Sequence, residues 1–193
     1  MKNSTVRIES VSITNLKNVV SGSLSFENNS RKEYNASIVG LYGQNGSGKT
    51  ALIDAVALLK YALSGFSIPS EYADYINVGA QSATIKYNLK VKNMDTGGIY
   101  SVIYEFSIRK DLDNIPQDIQ LSVDGNEKTK VTMFDEVLSY SYEGDGEKQR
   151  LQPVIDTRTE GVFAPKTKYD LLTGSGKAVN TDLMVAKKLS SAT

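Results

Sequence analysis

Residues 43 to 50 read Gly-Gln-Asn-Gly-Ser-Gly-Lys-Thr, which fits the pattern G-x-x-x-x-G-K-[ST] at every position. Ser37-Ile38-Val39-Gly40-Leu41-Tyr42 stands directly before it, a nearly all-apolar run with the composition of a strand buried on both faces. Directly after it Leu52, Ile53, Ala55, Val56, Leu58, Leu59, Ala62 and Leu63 mark a helix to about Leu63, closed by Ser64-Gly65 and then Pro69. Apolar residues fall almost all round that helix, so it is expected to be buried rather than to lie on a surface. Buried strand, glycine-rich turn and helix make the first half of an α/β unit.

The order of residue types in the turn has a physical logic. Gly43, Gly46 and Gly48 allow a backbone path that wraps closely around an anion with several amides pointing inward. The helix that follows adds its unpaired N–H groups and the positive end of its dipole. Lys49 is the cation expected at the β- and γ-phosphates, and the Thr50 hydroxyl is the expected Mg²⁺ ligand. The expected binding set is Gly43, Gln44, Asn45, Gly46, Ser47, Gly48, Lys49, Thr50 and Ala51, with ATP and Mg²⁺ as ligands.

Composition narrows the remaining chemistry. The 193 residues include no His and no Cys. Serine triads, imidazole or thiolate metal sites, disulfides and thiol nucleophiles are therefore excluded. Carboxylates, Lys, Arg, hydroxyls and backbone amides remain, a set suited to phosphate binding. Lys and Arg together number 22, matched by 22 Asp and Glu, so net charge names no polyanionic partner. Met1 to Ser10 lacks the apolar core of a secretion signal, and Asp54 and Lys60 interrupt the longest apolar stretch. No membrane span is expected, and a cytoplasmic protein is the default.

Around this unit the pattern is β. Val6 to Thr14 and Val19 to Phe26 read as short strands, followed by a polar loop from Glu27 to Asn35. From Ala83 to Lys92 alternation is strict, with Ile85, Tyr87, Leu89 and Val91 on one face and Lys86, Asn88, Lys90 and Lys92 on the other. Tyr100, Val102, Tyr104, Phe106 and Ile108 repeat it, which predicts a hairpin with one wet face. Asp124-Gly125 marks a second hairpin, and Glu136 to Tyr142 a further strand or its continuation. Thr181 to Ser190 reads as a helix capped by Asn180 or Thr181. The fold class is thus α/β at the start and α+β overall, with an antiparallel β-meander over 83–142.

Other features are weighed against plainer readings. Gly174-Ser175-Gly176-Lys177 echoes the loop but lacks the buried strand and hydroxyl, so it reads as a turn. The Lys86, Lys90 and Lys92 row could touch nucleic acid, yet such rows more often protect and solvate a sheet. The tyrosines at alternating strand positions read as packing residues rather than base-stacking platforms. Asp111, Asp113 and Asp118 lack the spacing of a calcium loop.

Ile13-Thr14-Asn15-Leu16-Lys17-Asn18, then Ile38 to Tyr42, then Asn45-Gly46-Ser47-Gly48-Lys49-Thr50 and Leu52-Ile53-Asp54-Ala55 together resemble the amino-terminal part of ABC-type ATPase heads. The series is most similar to AAA-family ATPases related to the OLD (overcoming lysogenization defect) and SMC/RecF proteins, over about residues 6 to 65. The resemblance implies ATP sandwiched between two protomers, with Asn45 facing the γ-phosphate and Lys17 near the nucleotide. It implies a homodimer of heads and an effector or nuclease partner, with contact to nucleic acid left open. The family's Walker B Asp-Glu pair, signature motif and switch His are not present. Thr132-Met133-Phe134-Asp135-Glu136 comes nearest to Walker B, but Lys130 and Thr132 spoil the buried-strand pattern.

The chain accordingly reads as the first lobe, 1–193, of a larger ATPase, with 180–193 leading out of it. It is expected to bind MgATP weakly and not to turn it over alone. A partner chain supplying the second lobe is the alternative. A transporter nucleotide-binding domain, a small-molecule kinase and an interaction module that merely retains the loop are competing readings.

Overall fold

The computed structural model describes residues 4–26, 39–64, 66–111, 130–144 and 147–158. Among the described residues seven strands and one α-helix follow one another: β1 (Ser4–Leu16), β2 (Val19–Ser25), α1 (Lys49–Ser64), β3 (Ser82–Asn93), β4 (Ile99–Asp111), β5 (Lys130–Gly144), β6 (Glu147–Lys148) and β7 (Gln152–Asp156). A single 3-10 turn, Ser70–Ala73, links α1 to β3.

The strands form one sheet in the order β2-β1-β3-β4-β5-β6, with β7 also pairing with β5, and all these pairings are antiparallel. Period-two alternation explains its two faces. Tyr87 stands opposite Tyr104 and Ile85 opposite Phe106, while β1 adds Val11 and Ile13 to the same side. These side chains are buried and share one core with Leu52, Ala55, Leu58, Leu59 and Ala62 of α1. The Tyr87 hydroxyl, buried between sheet and helix, donates to the Ala55 carbonyl at 2.6 Å. That bond satisfies a phenol which burial would otherwise leave without a partner.

The opposite face is wet. Lys86 lies across from Glu105 at 3.9 Å, and Lys90 pairs with Glu9 at 3.1 Å. Thr84 and Ser107 share a hydroxyl hydrogen bond at 2.8 Å. Two lysines of the row that could have touched nucleic acid therefore face carboxylates of neighbouring strands, which is the sheet-solvating arrangement.

Two expectations are corrected. Residues 39–42, the described part of the expected buried strand, are irregular chain, with Val39 50% and Tyr42 95% exposed. A parallel strand needs neighbours to take up its backbone groups, and among the described residues none pairs with this run. The helix is also not buried all round. Ile53 is 59% exposed and Leu63 47%, with Val56 also exposed, because α1 packs on the sheet with one side only. The Asp124-Gly125 turn, the Gly174–Lys177 segment, the 180–193 helix and residues 113 and 118 lie outside the described residues.

Candidate functional site

The loop from Gly43 to Gly48 leads straight into α1, whose first residues are Lys49 and Thr50. Two of its glycines are needed for conformation or space. Gly46 has φ 83° and Gly48 φ 87°, the left-handed region that costs other residues about 1 kcal/mol or more. A Cβ on Gly48 would also stand 2.8 Å from Val19 Cγ2, closer than real contacts allow.

Lys49 reaches back over the loop. Its ammonium donates to the Gly43 carbonyl at 2.8 Å, the Gln44 carbonyl at 2.7 Å and the Ser47 hydroxyl at 3.2 Å. A cation is thus fixed inside the curve of the loop. The Ser47 amide closes the turn onto the Gln44 carbonyl at 3.2 Å, and the Leu52 amide starts the helix on the Gly48 carbonyl at 3.1 Å. No acidic side chain stands in the first turn of α1, so the positive end of its dipole is not neutralised locally. Gln44, Asn45 and Thr50 are exposed. The buried Ala51 anchors the helix start in the core rather than facing the loop opening.

The β1–β2 turn abuts the loop. Asn18 Nδ2 donates to the Gly46 carbonyl, 28 residues along the chain. Lys17, with φ 53°, is held from several sides. Its amide donates to the Tyr75 carbonyl at 2.5 Å, and its carbonyl accepts from Asn77 Nδ2 at 2.8 Å. Its ammonium pairs with Asp54 of α1 and lies 3.9 Å from the centroid of the Tyr75 ring. The resemblance put Lys17 near the nucleotide; the structure puts its charge on Asp54, one turn into the helix behind the loop.

Glu136 is distant in role as well as in element. It follows Asp135, whose φ is 51°, at an irregularity where β5 slips against β4. Its carboxyl is 2% exposed and accepts a hydrogen bond from the Tyr104 hydroxyl at 2.7 Å. Burial first, then the Glu136 charge and hydrogen bond, hold the Tyr104 phenol far above its ordinary range. The Thr132–Glu136 segment thus belongs to an antiparallel strand with its carboxyl turned into the core.

A family model described as an AAA domain matches residues 10–170, most of the chain. The chain belongs to the AAA-domain family. An AAA domain is a nucleotide-binding, ATPase-type unit, typically working with Mg²⁺, and the matched span includes the whole 43–51 loop and helix start. No individual curated protein matches the chain. No helix among the described residues of this AAA-domain chain is long and apolar enough to cross a membrane.

Sequence reading missed part of the site. Tyr75 and Asn77 have no role in the sequence reading, Asp54 enters only as a break in an apolar stretch and within the resembling series, and Asn18 only as a turn-prone residue and within that series. The contact between Asn18 and Gly46 arises from a fold-level approach that no local spacing encodes. The one local hint was the turn-prone Asn15-Leu16-Lys17-Asn18 itself.

Proposed function

We propose that the 43–51 loop binds ATP with Mg²⁺ as part of an ATPase head. The observation that carries this reading is the Lys49 ammonium seated inside a glycine-turned loop at the amino end of α1. Loop and helix-start amides not already bonded within the turn would wrap the phosphates, and Lys49 would neutralise their charge. The Thr50 hydroxyl, at the first turn of α1, would help hold the metal that accompanies the phosphates. Bound MgATP supplies the phosphoryl group; the chain's own residues bind it, orient it and balance its charge.

Hydrolysis needs a carboxylate free to activate water, and the acidic pair nearest to a Walker B sequence does not offer one. Glu136 is committed to Tyr104 inside the core, which supports a chain that binds without turning over. The open stripe of Ile53, Val56 and Leu63, together with the exposure of Val39 and Tyr42, supports a complementary lobe from the same polypeptide or a partner. In the complete head, ATP-driven dimerisation would then control a DNA-linked or defence-type effector, as the family resemblance implies. An ATP-responsive interaction module without hydrolysis is the second reading, favoured by the same burial of Glu136.

Titration calorimetry with MgATP tests the proposal. The parent chain is expected to bind and Lys49→Ala to lose most of the heat. Absence of binding by the parent, or equal binding by both, would remove the loop assignment. Sustained ATP turnover by this chain would overturn the non-hydrolytic part.

A further inference from the structure

We infer that the β1–β2 turn is a clamp that presets the phosphate loop, with Asn18 as its positioning residue. The inference rests on the nucleotide-binding reading for its purpose, but its geometry stands apart from any ligand.

The turn is fixed far beyond what a two-residue hairpin connection needs. Leu16 pairs with Val19, leaving only Lys17 and Asn18 to reverse the chain. Asn15 and Lys17 both adopt left-handed φ, 56° and 53°, which asparagine tolerates but a lysine holds only when its surroundings enforce it. Those surroundings come from the segment after the 3-10 turn. The Asn77 amide donates to the Asn15 carbonyl at 2.9 Å, the Lys17 amide to Tyr75, and the Asn77 carboxamide to the Lys17 carbonyl. Leu16 and Ile76 add an isolated antiparallel bridge. The Lys17–Asp54 ion pair then ties the turn to the helix that starts at the loop.

A turn so held presents two groups to the loop. Asn18 donates to the Gly46 carbonyl, which fixes the peptide that follows Gly46 from outside the loop. Val19 presses on Gly48 where any side chain would collide. The loop's shape is thereby imposed from a different strand before a ligand arrives, and the ordering cost of binding falls accordingly.

Amide hydrogen exchange on the nucleotide-free chain, followed by MgATP titration of the same samples, tests this. Asn18→Ala and the isosteric Asn18→Asp both remove the donor. Each is expected to speed exchange of the 44–48 amides by about threefold to tenfold, the scale of one lost hydrogen bond, with β3 and β4 amides unchanged. MgATP affinity should fall by a similar factor, whereas Asn18→Gln, which keeps a carboxamide donor, should recover part of both. Parent-like loop exchange in the Ala and Asp variants would overturn the clamp. Equal acceleration of sheet amides would also overturn it, because it would reveal general destabilisation. If the parent itself fails to bind MgATP, the functional reading fails, while the exchange measurement still decides the clamp.

Discussion

At the scale of single residues, the proposed function divides the work of the loop between Lys49 and Thr50. Lys49 makes three bonds to its own loop, so its charge sits where phosphate charge would arrive. Its loss in Lys49→Ala is expected to weaken MgATP binding by about 1.5–3 kcal/mol, roughly tenfold to a hundredfold. Thr50→Ala should leave metal-free ATP binding nearly unchanged and weaken only the Mg²⁺-dependent part, read by titrations with and without the metal. Equal losses in both would deny Thr50 a ligand role. Lys49 was legible from sequence because a loop of this kind is a local object: eight consecutive residues specify glycines, cation and hydroxyl together. Asn18 was not, because its contact with Gly46 exists only after β1 and β2 have brought their turn to the loop.

Among the elements, α1 carries the loop and the sheet carries α1. The Tyr87 bond to Ala55 and the burial of Leu58 hold the helix in register. Tyr87→Phe is expected to cost about 1 kcal/mol in urea unfolding, the net worth of one hydrogen bond. Leu58→Ala should cost about 2–5 kcal/mol through the cavity it leaves. If Leu58→Ala unfolds at the parent's midpoint, the helix is not docked on the sheet as described. The strands of this layer were readable because alternation is a strong signal: Ile85, Tyr87 and Leu89 face the core as their spacing requires. The run before the loop was misread for a physical reason. Apolar composition reports a wish for burial, and whether Val39 and Tyr42 obtain it depends on partners that the run does not contain. The same holds for Ile53 and Leu63, apolar on the side of α1 that the sheet leaves open.

Over the whole molecule, the buried tyrosines give stability an alkaline dependence. Tyr87, Tyr104 and Tyr72 all have phenols raised above the ordinary value, first by burial and then by neighbouring acidic groups or tyrosines. A folded-state pKa above the unfolded one means the folded chain keeps protons that the unfolded chain releases. Their stabilising effect is therefore complete below about pH 10, the unfolded tyrosine range, and is lost progressively above it. Urea midpoints should fall as pH rises past about 10, and Tyr104→Phe should flatten that fall while lowering stability at neutral pH. A midpoint independent of pH there would contradict the packing of these phenols. At this scale the sheet order was only partly legible, since alternation names faces but not neighbours, and β1 lies between β2 and β3 through a connection that includes the loop and α1.

On the proposed function the nucleotide enters at the loop and nowhere else. Proton–nitrogen correlation spectra of the chain, recorded as MgATP is added, locate the ligand directly. Large shifts are expected for the amides of Gly46, Gly48, Lys49 and Thr50, small ones across β3 and β4, and much reduced ones at the loop in Lys49→Ala at the same nucleotide concentration. Shifts centred on the sheet, or loop shifts of equal size in Lys49→Ala, would contradict it.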